Sequence, residues 1–339
     1  MGGSHRNVAY LRLERRGGAR ACWSMPIEFS PSPGLHEIEN MFCRRDFLRS
    51  VMAAGIVPRV VSDAVAESGV GARSGASGDP NVWALFADIH IAGDVTRSAL
   101  GVNMAENFRA AIGEVLGRPR RAAGVMINGD CAFQTGQIGD YRVLCELLEP
   151  LRQNEMPVFL TLGNHDDRNH FRDAMSEVDR VSLMEQRHVG VIRTPRVNWI
   201  LADSSTRPVS EGRFGAAQIE WMAAVLDAEP QKPAIIYAHH NPVDEIEEWP
   251  LQDTEEFFSM VAPRGQVKAY VFGHTHRWTV TQHASGIHLV NLPSSAYVLD
   301  AGEPSGWVEA EILENGMTLE LRCIGEHRLH GQRLALEWR

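Results

Sequence analysis

Residues 157–166 read Pro157-Val158-Phe159-Leu160-Thr161-Leu162-Gly163-Asn164-His165-Asp166. The first six form a short apolar run, rich in strand formers and too short for a buried helix. The run stops at a glycine followed by three side chains that can bind a metal or handle a proton. The same design recurs on both sides of this stretch. Val82–Ala87 runs into Asp88-Ile89-His90, and Val125–Asn128 into Gly129-Asp130. Ala234–Ala238 runs into His239-His240, and Val267–Phe272 into Gly273-His274-Thr275-His276. Polar groups at the carboxyl ends of successive buried strands fall on one edge of an open sheet, where such folds place their active sites. Clusters far apart in sequence are therefore expected to meet in space.

The segments between these strands carry helical spacing. They are residues 103–117, Tyr141–Leu151, Ala216–Leu226 (Ile219, Met222 and Val225 on one face) and Thr254–Val261. A further strand, Trp199–Ala202, ends at Asp203, and Asp203-Ser204-Ser205 reads as a capping turn. The runs at 277–283, 287–292, 306–313 and 318–323 alternate as strands do. Strand–helix alternation predicts α/β layers, and the late β-rich part is expected to form a second sheet closing a sandwich on the first.

The chain has 339 residues, is 44% hydrophobic and carries a formal net charge of −10. That is enough apolar material for a substantial core and too much for a disordered chain. Residues 67–339 hold 24 basic and 37 acidic side chains. So acidic a body repels a polyanion, which argues against nucleic acid as partner. No run of apolar residues is long enough to predict a transmembrane helix.

Near the start, Arg44-Arg45-Asp46-Phe47-Leu48-Arg49 resembles the twin-arginine export motif. A mildly apolar stretch from Val51 to Val57 follows, then the small-x-small site Ala64-Val65-Ala66. Residues 41–66 are therefore read as a signal peptide that engages the twin-arginine machinery, with a periplasmic or otherwise exported destination. Residues 1–40 show no periodicity and are read as an over-extended start that does not fold, with Met41 as the true start. The Gly-, Ser- and Ala-rich stretch 67–80 reads as a linker, and 81–339 as the folded domain that carries the polar clusters. Of the three cysteines beyond the signal, Cys131 reads as a small buried residue rather than a ligand. One disulfide among Cys131, Cys145 and Cys323 is compatible with an oxidising compartment.

As candidate ligands the five clusters together offer two aspartates (Asp88 and Asp130), one asparagine and at least four histidines. Asp88 and His90 are separated by one residue at a strand end, so both can turn toward one ion, whereas His274 and His276, with the same spacing, can serve different ions. A carboxylate such as Asp130 has two oxygens and can bridge two cations. Mixed nitrogen and oxygen donors without thiolate suit Fe, Mn, Zn or Co better than Ca or Mg.

In this order, Asp-x-His, Gly-Asp, Gly-Asn-His-Asp, His and Gly-His-x-His resemble the calcineurin-like metallophosphoesterases. Gly163-Asn164-His165-Asp166-Asp167-Arg168 is similar to the bacterial branch of class III cyclic-nucleotide phosphodiesterases and glycerophosphodiesterases, and Leu292-Pro293-Ser294-Ser295 fits it too. The resemblance implies a four-layer α/β/β/α sandwich with a two-metal site at the strand carboxyl ends. It implies Asp88, His90, Asp130 and His276 as ligands of one ion, and Asp130, Asn164, His239 and His274 as ligands of the other. His165 would be a catalytic residue whose ring Asp166 orients. The implied reaction is in-line attack on a phosphate ester by a hydroxide shared between ions about 3.5–4 Å apart. Two loops depart from the family: Cys131–Gln137 after Gly-Asp, and Asn241 where many relatives have proline. A phosphodiesterase is the leading reading. A phosphomonoesterase, or a non-catalytic metal-binding protein on the same fold, are the alternatives. Arg168, His170, Phe133, Trp278 and Tyr297 are further residues that could reach substrate.

Overall fold

The computed structural model describes residues 70–71, 78–175, 184, 186–243 and 249–339. The expected extension 1–40 and signal 41–66 lie outside the described residues. So does most of the expected linker, although Val70–Gly71 forms a short strand (β1) beside Ile192–Arg193.

The described strands after β1 are β2 Asp79–Ala87, β3 Ser98–Ala99, β4 Val102–Asn103, β5 Ala122–Asn128, β6 Val158–Thr161, β7 Gly190–Arg193 and β8 Asn198–Leu201. They continue with β9 Ala234–Tyr237, β10 Val267–Phe272, β11 Thr279–Gln282, β12 His288–Asn291, β13 Gly306–Leu313, β14 Gly316–Cys323 and β15 Arg333–Glu337. The helices are α1 Met104–Gly117, α2 Ile138–Gln153, α3 Arg168–Met175, α4 Ala216–Ala228 and α5 Thr254–Val261. One sheet has seven strands in the order β1-β7-β8-β9-β10-β12-β11, and the other six in the order β15-β14-β13-β2-β5-β6.

The period-2 geometry of a strand sorts side chains to opposite faces, and β2 shows the result. Val82, Ala84 and Phe86 face α1 and α2 in one core with Phe108, Ile112, Val115 and Leu144. Trp83, Leu85 and Ala87 face the other sheet, meeting Trp199, Leu201, Tyr237 and Val271. On the far side of the seven-stranded sheet, Ile200, Ile236 and Tyr270 pack under Met222 and Val225 of α4 and Phe257 of α5. The layers therefore run helix, sheet, sheet, helix, and the fold is the expected four-layer sandwich.

The late β-rich part does not make a second sheet by itself. β10, β11 and β12 join β7–β9, whereas β13 pairs antiparallel with β2 and extends the first sheet. The open edge of β2, opposite β5, is where β13 finds its hydrogen bonds.

β2, β5 and β6 are mutually parallel, as are β8, β9, β10 and β12. Their carboxyl ends are joined across the sandwich. The Tyr237 hydroxyl donates to the carbonyls of Phe86 (3.0 Å) and Met126 (3.2 Å), and Asn128 Nδ2 donates to the carbonyl of Val271 (3.2 Å). These buried bonds fix the two sheet edges beneath the site. No helix among the described residues is long and apolar enough to cross a membrane. No disulfide joins Cys131, Cys145 and Cys323.

Candidate metal centre

Each polar cluster begins where its strand stops, and the chain turns there in an uncommon way. Among the described residues, eight non-glycine positions have positive φ. Five are Asp88 (52°), His90 (46°), Asp130 (46°), His274 (72°) and His276 (56°). Left-handed backbone costs an L-residue roughly 1–2 kcal/mol, and such strain gathers where the surrounding structure enforces it for use. In Asp88-Ile89-His90 the turn sends the two polar side chains toward one centre while Ile89 is buried in the helix-side core. Backbone bonds from the His90 and Ile91 amides to the carbonyls of Asp130 and Cys131, both 2.9 Å, zip this loop to the next.

The seven residues expected to bind metal converge. Asp88, His90 and His276 form one group of donor atoms within 4.8 Å of one another, and Asp130, His239 and His274 form another. Asn164 Oδ1 lies 3.3 Å from His239 Nε2 and joins the second group. Asp130 is close to both: its carboxylate is 3.8 Å from His90 Nε2 and 3.4 Å from His239 Nε2. His165 is the third member of a group with His90 and Asp130.

The hydrogen bonds around the rings decide what they offer. His239 Nδ1 meets the carbonyl of Asn128 (3.0 Å) and His276 Nδ1 that of Tyr297 (2.7 Å). A carbonyl only accepts, so Nδ1 carries the hydrogen and Nε2 is left with a bare lone pair. Those lone pairs face carboxylates, with His276 Nε2 3.5 Å from Asp88 Oδ1 and His239 Nε2 3.4 Å from Asp130 Oδ1, and a third ring crowds in, with His90 Nε2 only 3.1 Å from His276 Nε2. His90 Nδ1 is buried without a hydrogen-bond partner among the described residues. Lone pairs and carboxylates crowded together in low dielectric require positive charge between them.

Protons answer that requirement where no ion does. Burial alone would suppress the protonated His239 ring, but the Asp130 and Asp88 carboxylates outweigh it and raise its pKa to about 9. Burial and Asp88 oppose each other in the same way at His276, whose pKa is also raised. Burial wins at His90, which falls to about 4 despite Asp130. Burial would raise the Asp130 carboxyl, yet the His239 and His165 rings hold it well below the usual carboxylate range. The donor set therefore fits cations in number, type and charge.

His239 and His240 part company. His240 turns away, with Nδ1 2.7 Å from Ser204 Oγ and Nε2 3.0 Å from the Ser210 carbonyl. Burial and the neighbouring His239 depress its pKa to about 3, so it stays neutral. It packs beside the His274 ring at 4.7 Å between centroids.

One expectation needs correction. Asp166 does not orient the His165 ring. That ring is held by the Phe133 carbonyl, 3.0 Å from His165 Nδ1. The Asp166 carboxylate instead accepts the backbone N–H groups of Gly163 (2.9 Å), Cys131 (3.1 Å) and Ala132 (3.0 Å) and the Tyr141 hydroxyl (3.1 Å). It is fully buried, where burial and the Asp130 charge raise its pKa to about 6 against the pull of those three N–H groups. Its work is to bind the Gly-Asn-His-Asp turn to the loop that carries Asp130.

Other residues singled out in the sequence also take structural places. Arg168 makes a two-pronged ion pair with buried Asp203, at 2.6 and 2.8 Å, and His170 Nδ1 bonds the Gly136 carbonyl (2.8 Å). Asp203 caps its own turn through the Ser205 N–H, and also accepts the His188 N–H. Trp278 lies in the core between the sheets with its indole N–H on Gln332. Phe133 packs under the Arg97 guanidinium, and of the three aromatics only Tyr297 lines the cleft above the donors. Trp249 and Leu299, which the sequence reading passed over, line it too. Lone apolar residues between turn signals leave no trace in a periodicity reading.

The glycines of the motifs mark close approach. A Cβ on Gly163 would stand 2.1 Å from Asp130 Oδ1, and one on Gly273 2.5 Å from Asp88 Oδ2. Gly163→Ala should therefore displace the Asp130 carboxylate. Overpacking of this kind destabilises by about 1–3 kcal/mol, and disturbed support of a ligand weakens metal binding by about 10–100-fold. Bound metal measured by elemental analysis after dialysis would check this. A variant with the wild-type complement and melting temperature would show that Asp130 is not constrained as described.

The chain belongs to the calcineurin-like phosphoesterase family, whose pattern matches residues 84–278. Among curated relatives, a 3',5'-cyclic adenosine monophosphate phosphodiesterase of Vibrio vulnificus is 27% identical over 246 residues, covering 68% of this chain and 85% of that one. A 3',5'-cyclic-nucleotide phosphodiesterase of Nostoc is 25% identical, covering 63% and 78%. A probable glycerophosphodiester phosphodiesterase of Arcobacter nitrofigilis is 26% identical, covering 56% and 65%. Among solved structures, a dimetal phosphatase from Danio rerio shares the fold, with a TM-score of 0.61 at 17% identity over 77% of this chain and all of that one.

Proposed function

We propose that this phosphoesterase is an exported phosphodiesterase that acts on a small phosphodiester with two metal ions. The observation that carries the reading is the position of the Asp130 carboxylate between two groups of buried donors, at the floor of a cleft of about 470 Å³. Asp88, His90, Asp130 and His276 would hold one ion, and Asp130, Asn164, His239 and His274 the other, with Fe, Mn, Zn or Co suiting the donors. Bound there, the ions would supply Lewis acidity and an activated water.

The residues do the rest. Asp130 and Asp88 set the negative field that holds the cations, and the carbonyls of Asn128 and Tyr297 aim the lone pairs of His239 and His276. His165 keeps Nδ1 on Phe133 and lines the cleft, so Nε2 is free to meet a phosphoryl or leaving-group oxygen. Preference for a diester is supported by the relatives named above, which are cyclic-nucleotide phosphodiesterases. Export is supported by Arg44-Arg45 and the apolar and small-residue segments that follow them. A non-catalytic binding protein would have no use for His165 in this position.

The test is hydrolysis of bis-p-nitrophenyl phosphate and p-nitrophenyl phosphate by the full chain, stripped with chelator and reloaded with each metal. Metal-dependent cleavage of the diester, faster than the monoester, is expected. Loading should also raise the melting temperature, since saturation at about 100 times Kd adds about 2.7 kcal/mol. Cleavage of the monoester alone would make the protein a phosphatase, and no turnover in a metal-loaded, folded protein would favour binding without chemistry. In cells, lysine at both Arg44 and Arg45 should hold the protein in the cytoplasm. Unchanged export would remove the twin-arginine route.

A further inference from the structure

The cleft is far larger than a phosphate needs, and lies within the range of about 300–1,000 Å³ that takes a whole small molecule. Its floor is polar, but three apolar or aromatic side chains, Trp249, Tyr297 and Leu299, also line it. Trp249 and Leu299 are 51% and 62% exposed. Single exposed apolar residues are ordinary, but a group of them at the mouth of a polar site points to a ligand.

The chain immediately after Trp249 is anchored. The next carbonyl, of Pro250, accepts the Gly212 N–H (3.2 Å), and the Leu251 N–H donates to Asn241 (2.8 Å) with the Leu251 side chain fully buried. Trp249 itself has φ of 55°, an outlier conformation for a bulky residue. The indole thus lines the cleft from a strained backbone position, and strain of this kind is a pointer to use. Tyr297 is tied to the donors: its ring packs on His90 at 5.1 Å and 22°, and its carbonyl holds His276. At the same rim Arg277 and Asp300 neutralise each other at 2.8 Å, so the lining offers little to a second anionic group.

We propose, on the footing of the phosphodiesterase reading above, that this aromatic part of the cleft lining binds a planar aromatic ring carried by the alcohol side of the diester, and that Trp249 sets a preference for such substrates over glycerol diesters. Indole and phenol faces gain from stacking on a ring and gain little from a polyol. An aryl group and a nucleobase share this chemistry, and the substrates of the test separate the two.

The full chain, metal-loaded, would be assayed on bis-p-nitrophenyl phosphate, 3',5'-cyclic AMP and glycerophosphoethanolamine, as wild type and as Trp249→Ala, Trp249→Phe and Leu299→Ser. In wild type 3',5'-cyclic AMP, whose leaving group is an alcohol like that of the glycerol diester, is expected to be cleaved with higher kcat/KM than the glycerol diester. Trp249→Ala should lower kcat/KM on the cyclic nucleotide about tenfold, mainly through KM, and change the glycerol diester by less than about twofold. Trp249→Phe should restore most of the loss. Equal losses on all three substrates, or none, would overturn the proposal. So would a wild type that prefers the glycerol diester, and the phosphodiesterase reading would then still stand. No cleavage of any diester with any metal would remove that reading and the aromatic subsite together.

Discussion

Asp130→Asn should abolish metal-dependent turnover while leaving the fold intact. The substitution keeps the shape and the oxygen that accepts the His165 N–H at 2.9 Å, and removes only the charge. That charge is the one both donor groups share: it acts on His90, on His239 and on Asp88, whose own ionisation it opposes. Loss of a single preorganised electrostatic group costs an enzyme about 10²–10³ in kcat. A group shared by both candidate ions should cost at least the upper end, on the order of 10³-fold. At neutral pH the stripped variant should melt below stripped wild type, because the His239 ring that holds the Asp130 carboxylate below its usual range loses that partner when the charge is removed. Kinetics on bis-p-nitrophenyl phosphate, metal analysis and thermal melts of both forms would decide it. A variant that keeps two metals and full activity would sink the assignment of Asp130.

The strands and their terminal donors were legible because a buried parallel strand is a continuous apolar run, and a polar residue at its end has few structural uses. Sheet membership was less so. The runs at 306–313 and 318–323 read correctly as strands, but their place beside β2 depends on which edge is left open in three dimensions. β7 escaped because Gly190-Val191-Ile192-Arg193 is too short to show a period. α3 escaped because Arg168-Asn169-His170 is polar and only Phe171 and Met175 mark its buried face. Within the site, consecutive residues at a strand end point in opposite directions, so nothing local separates His239 from His240. Their contacts do, through Asn128 for one and Ser204 and Ser210 for the other. Asp166 shows the reverse error: next to His165 in sequence, it turns its carboxylate inward to backbone N–H groups that no motif announces. The left-handed turns at Asp88, His90, Asp130, His274 and His276 are equally silent in sequence, since they are imposed by the loops packed around them.

His165→Ala should lower kcat by about 10²–10⁴-fold, the usual range for a positioned acid or base, and leave bound metal near the wild-type level. The ring is partly exposed and donates through Nδ1 to a single carbonyl, that of Phe133, so its loss removes little of the fold. Its Nε2 lies 3.8 Å from Asp130 Oδ2, beside the floor rather than within it. Two roles fit that position, and they differ in their dependence on the leaving group. If protonated His165 gives its proton to the departing oxygen, an alkyl diester should suffer far more from the substitution than a p-nitrophenyl diester, whose leaving group needs no proton. If the ring offsets charge on the phosphoryl oxygens, both substrates should lose by a similar factor. Rates for the two substrate types with wild type, His165→Ala and His165→Asn, each with its metal content, would separate the roles. Asparagine can still donate a hydrogen bond but cannot transfer a proton, so it should recover activity only in the second case. Wild-type turnover in His165→Ala would remove His165 from the chemistry altogether.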